Sequence, residues 1–252
     1  MKQLRKKHRK YLFGSKYVNI FHDFAQIIDV RDHDGSTDLI INYDNDKHTT
    51  LKIRDISTES ESMDTIKRFI NNANMISKAR NHSGDLGSMF AFGFHNSKHG
   101  NYVSMNNDNG NCRRYCIEMR RLLENYFKEE ISEIINADRR QGKFAGHDMG
   151  DTDGISAYCL VSKDLVNSAH YDLDTSPGIS LFVEDTIDKA TGWYFILPNT
   201  YSNETKKAII IKLFNGCAIS WDGRKIFHCT GLENLGEDNH VYGCYFGGKK
   251  YK

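Results

Sequence analysis

The chain has 252 residues, 39% of them hydrophobic and 27% charged, with a formal net charge of +1. That length is enough for one large core, and the near-zero balance excludes a polyanion-binding field spread over the whole surface. No apolar run approaches the ~18 residues that suggest a membrane span, and the basic opening MKQLRKKHRK is not followed by the apolar core of a secretory leader, so an intracellular protein, nuclear or cytoplasmic, is expected.

Residues 1–16 form a basic arm: Lys2, Arg5, Lys6, Lys7, Arg9, Lys10 and Lys16 stand there without an acidic residue. Such an arm is either a solvated tail or a set of phosphate contacts. Residues 17–155 read as an α+β supporting region. The segments 17–30, 38–43 and 49–54 carry β-branched and aromatic residues between the turn-forming stretches DHDGS and DNDK, which predicts short strand-like elements.

Met63, Ile66, Phe69, Ile70, Ala73 and Ile76 recur at helical spacing, with Glu59 and Glu61 near the start where the helix dipole favours acids, so a helix is expected over 62–79. A longer stripe runs from Cys112 and Cys116 through Met119, Leu122, Leu123 and Tyr126 to Ile131, Ile134 and Ile135, predicting the chain's strongest helix and a core-facing surface. Between the two helices, 82–111 is rich in Gly, Ser, Asn and aromatics and reads as an irregular, functional loop. Six cysteines without a C-x-x-C pair read as free buried thiols.

From residue 156 to 252 the pattern changes to short runs separated by turns: SAYCLV, GISLFVE, GWYFILP, KAIIIKLF, CAISW, KIFHC and HVYGCYF. Regular short strands of this kind predict an antiparallel barrel or sandwich. His170-Tyr171-Asp172 lies at its start. Residues two apart on a strand face the same way and can ligate one ion together.

An H-x-D triplet alone is weak, since the eleven His and the Asp content of the chain predict about one by chance. His228 supplies the context: it sits in KIFHCTG, directly after the tight-turn signal Asp222-Gly223. Two imidazoles and one carboxylate on one face leave positions open for dioxygen and a co-substrate, the arrangement of mononuclear non-haem Fe(II) oxygenases. Singly, each residue has an ordinary structural role: a hydrogen-bonded core histidine, an Asx-turn aspartate, a packing histidine.

The strings HYDLDTSPGISLFVE, GWYFILPN, AIIIKL, CAISWDGRKIFHCT and HVYGCYFGG together resemble the iron-dependent dioxygenase domain of the TET/JBP superfamily, and within it the algal, vitamin C-dependent branch that modifies 5-methylcytosine. The resemblance covers about the last hundred residues. It implies a double-stranded β-helix (jelly-roll, cupin-like) core with N-terminal supporting helices, with His170, Asp172 and His228 as iron ligands and catalytic residues, and DNA as partner.

Enzymes that use 2-oxoglutarate anchor its distal carboxylate with a cation beyond the second histidine, where bidentate geometry helps most. No Arg follows His228; the available cations are Arg224, in the hairpin, His240, in the last strand, and Lys249, Lys250 and Lys252 at the extreme tail. This absence favours a different reductant, and the resemblance suggests ascorbate, with Asp174 as the acidic residue beyond H-x-D that contacts it. Asp174 as an ordinary turn carboxylate stands equally well.

Three functions remain open from sequence. The first is an Fe(II)-dependent dioxygenase oxidising a 5-methylcytosine-like base in DNA with O2 and either ascorbate or 2-oxoglutarate. The others are a 2-oxoglutarate oxygenase acting on a protein side chain or small molecule, and a metal-binding cupin-like module without turnover.

Overall fold

A computed structural model describes residues 25–44, 47–72, 86–96, 102–105, 110–144, 158–167, 169–184, 192–198, 201–202, 205–206, 208–233 and 240–247. The basic arm, residues 1–16, lies outside the described residues. Strands and helices are numbered in chain order.

The two facing sheets are built mainly by the chain from Tyr158 onward. β6 (Tyr158–Val166), β7 (Gly178–Glu184), β12 (Cys217–Trp221) and β14 (Val241–Gly247) lie side by side in one sheet, in the antiparallel order β12-β7-β14-β6. β8 (Gly192–Leu197), β11 (Ala208–Leu213) and β13 (Cys229–Glu233) form a second sheet in the order β11-β8-β13. His170 joins the second sheet's end through a bridge to His228.

The chain therefore passes from large sheet to small sheet and back repeatedly: β6, the His170 segment, β7, β8, β11, β12, β13, β14. This alternation is a double-stranded β-helix, as the strand pattern and the resemblance implied.

Burial on both faces follows from the period-two alternation of the strands. On β7, Ile179, Leu181 and Val183 face one hydrophobic cluster while Phe182 enters another. On β8, Trp193, Phe195 and Leu197 fill the space between the sheets, together with Ile211, Leu213, Ile219 and Trp221, and Tyr194 and Ile196 pack with Val166, Ile210 and Cys229. Strands so enclosed read as continuous apolar runs.

The outer face of the large sheet is covered by helices. α1 (Ser60–Asn72) supplies Met63, Ile66 and Ile70, α2 (Gly110–Glu124) supplies Tyr115, Cys116, Met119, Leu122 and Leu123, and α3 (Lys128–Phe144) supplies Ile131 and Ile134. The expected helix 62–79 starts two residues earlier, and its continuation past Asn72 lies outside the described residues.

The expected single helix is two. It breaks at Tyr126 and Phe127, whose amides both bond back to the Leu123 carbonyl. The apolar stripe keeps its phase across the break, with Phe127 buried and Ile131 bonded to Phe127, so periodicity carried no sign of it.

The supporting region also adds strands to both sheets. β2 (Ser36–Asp44) and β3 (Lys47–Asp55) form a hairpin whose second strand pairs with β12, and β9 (Tyr201–Ser202) and β10 (Thr205–Lys206), from the C-terminal segment, extend it outward. β1 (Ala25–Ile28) runs parallel to β11.

The segment expected to be an irregular loop instead forms β4 (Leu86–Asn96), on the edge of β6, and β5 (Tyr102–Met105) beside it. Phe90, Phe92 and Phe94 recur at period two. That strand signal was hidden among glycines and serines, which weaken strand propensity but do not forbid an edge position.

Leu181, fully buried at the centre of β7, and Ile40, 72% exposed on β2, allow a paired test. Leu181→Ala is expected to lower unfolding free energy by about 2–5 kcal/mol in urea denaturation, and Ile40→Ala by less than about 0.5 kcal/mol.

Candidate metal centre

His170, Asp172 and His228 come together at one end of the inter-sheet space, each with a ligand atom within 4.8 Å of the others. His170 Nε2 lies 3.2 Å from Asp172 Oδ1, and His228 Nε2 lies 3.4 Å from Asp172 Oδ2. Two adjacent ligands at ~2.1 Å from one ion subtend about 3 Å, so this donor set closes on a single divalent metal with one facial triad. The residues present fit a ferrous ion in chemistry and in spacing.

Backbone hydrogen bonds set these distances. His170 N–H donates to the His228 carbonyl (2.9 Å) and His228 N–H to the His170 carbonyl (3.1 Å), which places the two imidazoles on one face of a narrow ribbon, 4.7 Å apart. Asp172 N–H donates to the Gly223 carbonyl (2.9 Å), so the Asp-Gly turn after β12 positions the carboxylate.

Glycine is required there by close approach. A Cβ at residue 223 would collide with Asp172 Oδ2. The turn itself is closed by Asp222, whose carbonyl accepts from Lys225 and Ile226 N–H and whose carboxylate accepts from Arg224 N–H.

His228 is 4% exposed. Phe195 stacks on its ring at 5.3 Å, and Trp221 meets it edge-on at 5.3 Å. Its Nδ1 lies 3.0 Å from the Ile226 carbonyl, which makes Nδ1 the protonated nitrogen and turns the Nε2 lone pair toward Asp172 and His170. Burial pushes the His228 pKa down to about 4, against the pull of Asp172 and together with the nearby His170. The ring is thus neutral at neutral pH, the form that binds a metal.

The residues expected to hold a co-substrate are placed differently from one another. Asp174 accepts a hydrogen bond from Tyr245 Oη, on β14. Arg224 is committed to Asp222 through both Nε and Nη2, at 2.7 Å each, and its Nη1 donates to the Thr175 carbonyl. Asp222 is 4% exposed; its burial opposes ionisation, but the hydrogen bonds from Arg224 and Lys225 outweigh it and hold the carboxyl below its usual range.

His240 binds Asp164 Oδ2 at 2.9 Å, at the start of β14. Tyr245 is five residues further along that strand, about 17 Å at the ~3.4 Å rise of an antiparallel strand. The structure does not bring His240 to the three ligands.

Sequence reasoning missed Tyr245, Trp221 and Phe195. The two aromatic neighbours of His228 sit at alternate positions of buried strands, and nothing in their local pattern separates them from ordinary core residues.

No protein-family model and no curated protein matches the chain. Similar solved structures include NgTET1 in complex with 5mC DNA, at 8% identity over 79% of this chain and 72% of that one, TM-score 0.48. A Pseudomonas putida prolyl-4-hydroxylase follows at 8% identity over 80% and 93%, TM-score 0.44. An oxidoreductase of the 2OG-Fe(II) oxygenase family from Burkholderia pseudomallei matches at 10% identity over 79% and 86%, TM-score 0.40. At these identities they say nothing of substrate. No helix among the described residues is long and apolar enough to cross a membrane.

The close approach of Gly223 to Asp172 makes a test of the centre that leaves all three ligands in place. Gly223→Ala is expected to weaken Fe(II) binding about tenfold or more, the range seen when groups that orient a ligand are altered. Anaerobic calorimetric titration reads the affinity, and circular dichroism should show the strand content retained.

Proposed function

We propose that the chain is a mononuclear Fe(II)-dependent dioxygenase that oxidises a 5-methylcytosine-like base in DNA, with ascorbate as the favoured co-substrate and 2-oxoglutarate as the alternative. The observation that carries the metal reading is the closure of His170, Asp172 and His228 within 4.8 Å, at an inter-sheet end where His170 and Asp172 keep 32% and 21% of their side-chain surface open. A ferrous ion held there by His170, Asp172 and His228 would supply dioxygen reduction, with a reducing co-substrate contributing electrons.

The protein's own groups do the rest. Phe195 and Trp221 exclude water from His228 and fix its ring plane, and Ile226 fixes its tautomer. Gly223 fixes the Asp172 carboxylate.

Among the described residues, ascorbate is favoured by what Arg224 and His240, the cations expected as clamps, are already doing. The Arg224 fork grips Asp222 and His240 pairs with Asp164, so neither is poised as a clamp for a distal carboxylate. The DNA substrate rests on the resemblance of the H-x-D, WYFILPN and SWDGR strings to the TET/JBP domain and on the basic arm; an enzyme reaching a methyl group on a paired base must take the base out of the stack. The alternative substrate, a protein side chain or small molecule, makes the arm dispensable.

Iron-loaded protein incubated with a 5-methylcytosine oligonucleotide and ascorbate is expected to yield an oxidised nucleoside by mass spectrometry. Asp172→Ala should abolish that product and sharply reduce Fe(II) affinity. Product formed only with 2-oxoglutarate would overturn the ascorbate preference, and wild-type protein that leaves the base untouched with either co-substrate would overturn the DNA reading.

The arm gives a separate measurement. Replacing Lys2, Arg5, Lys6, Lys7, Arg9 and Lys10 by Gln in the full chain should lower DNA affinity and flatten its salt dependence, by about 0.9 in log–log slope for each phosphate no longer neutralised. Iron binding should be unchanged. An unaltered slope would remove the arm from the interface.

A further inference from the structure

We propose that Tyr245 is a positioning residue that sets the co-substrate specificity of the site, by holding Asp174 as a hydrogen-bond acceptor for a hydroxyl-rich reductant of the ascorbate class. This rests on the ascorbate reading above and adds to it a residue and a physical device.

Three observations converge on Tyr245. Its phenol donates to Asp174 Oδ2, two residues beyond the ligand Asp172. Its ring lies 5.8 Å from Trp221, which in turn lies edge-on to His228, so the phenol is joined by packing to the opposite side of the same centre. It is partly exposed between Cys244 and Phe246, both fully buried, on a strand otherwise enclosed almost throughout.

The space for the ring is built by two glycines. A Cβ at Gly178 would collide with Tyr245 Cε2, and one at Gly247 would collide with its hydroxyl oxygen. Gly178 pairs with Trp221 in the sheet and so lies on the strand end nearest the metal ligands. Two positions on two strands are thus kept bare for one phenol.

The chemistry of the pair selects the ligand. Tyr245 Oη spends its single proton on Asp174, so at this place the site presents a carboxylate and a phenolic oxygen, both acceptors. A carboxylate accepts up to about four hydrogen bonds, so binding the phenol is compatible with accepting from a ligand as well. An acceptor pair repels a 2-oxo diacid, a dianion with no hydrogen-bond donor, more than it repels ascorbate, a monoanion that keeps one enediol hydroxyl and its side-chain hydroxyls to donate. Arg224, whose pKa Asp174 helps to raise, is held by Asp222 and the Thr175 carbonyl and cannot reverse that preference without releasing them.

The test is a double-mutant cycle in full-length protein loaded with Mn(II), which reads binding without turnover. Calorimetry with ascorbate is expected to show Tyr245→Phe and Asp174→Asn each weakening affinity by about tenfold, and the double variant no weaker than either single one, because groups that act through one hydrogen bond are not additive. Metal affinity should be unchanged in all three.

Tyr245→Phe binding ascorbate like the wild type while Asp174→Asn loses it would overturn the role of Tyr245 and leave the ascorbate reading intact. Additive losses in the double variant would also overturn it, since the phenol would then be acting independently of Asp174. Wild-type protein that binds 2-oxoglutarate but no ascorbate would sink the ascorbate reading itself, and the inference with it.

Discussion

Two backbone hydrogen bonds between His170 and His228 are the constraint from which the centre follows. They tie the segment after β6 to the start of β13, and because residues paired across an antiparallel ladder face the same way, both imidazoles must share a side. The alternation rule then brings Asp172 to that side as well. What the bridge cannot do is set the depth of the carboxylate. That is done by the Gly223 carbonyl and the bare Cα beside it, so the ligand set depends on a ribbon and on a turn supplied by β12, from the other sheet. The double-stranded β-helix is suited to this because the chain crosses between the sheets on entering and leaving β12, which brings the turn after β12 against the ribbon at the end of the smaller sheet.

Part of this was legible in the sequence. His170 and Asp172 stand two apart among short strand runs, and His228 follows a tight-turn pair, so the grouping of these three residues could be expected from spacing and turn context together, though not from the H-x-D triplet alone. The strand runs themselves were legible because enclosed strands are short, β-branched and bounded by turns. The exchange of strands between two sheets was not, since a strand's partner is chosen by long-range packing that period-two alternation does not encode. The same limit hid Phe195 and Trp221, which differ from other buried aromatics only in what lies across the inter-sheet space. β4 was hidden for a local reason: Gly87, Ser88 and Gly93 dilute the alternation of Phe90, Phe92 and Phe94 below the threshold at which a strand stands out.

Two ion-pair groups lie at different removes from the centre, one in the turn beside it and one at the other end of β14. Asp222 takes Arg224 and Lys225, and Asp164 takes His240. In the first, a nearly buried carboxylate must be satisfied or it would be strongly destabilising, and removing its partners would leave that charge uncompensated. Arg224 is therefore needed by the turn that positions Asp172. A residue that stabilises the ligand-bearing turn cannot easily double as the clamp for a co-substrate, and this conflict follows from one short stretch, Trp221-Asp222-Gly223-Arg224-Lys225.

The burial of the three ligands is graded, and the gradient gives the centre a direction. His228 is sealed beneath Phe195 and Trp221, while Asp172 and His170 are progressively more open. On the far face of the ribbon, Tyr171 and Leu173 alternate with the ligands and are 53% and 55% exposed, with Tyr171 against Phe227 at 5.1 Å. An ion held there would be approached from the His170 and Asp172 side, because the His228 side is closed by aromatic packing that also sets the plane of that ring. Rigidity and access are thus assigned to opposite sides of one narrow ribbon, and the closed side can be tightly packed without obstructing the open one.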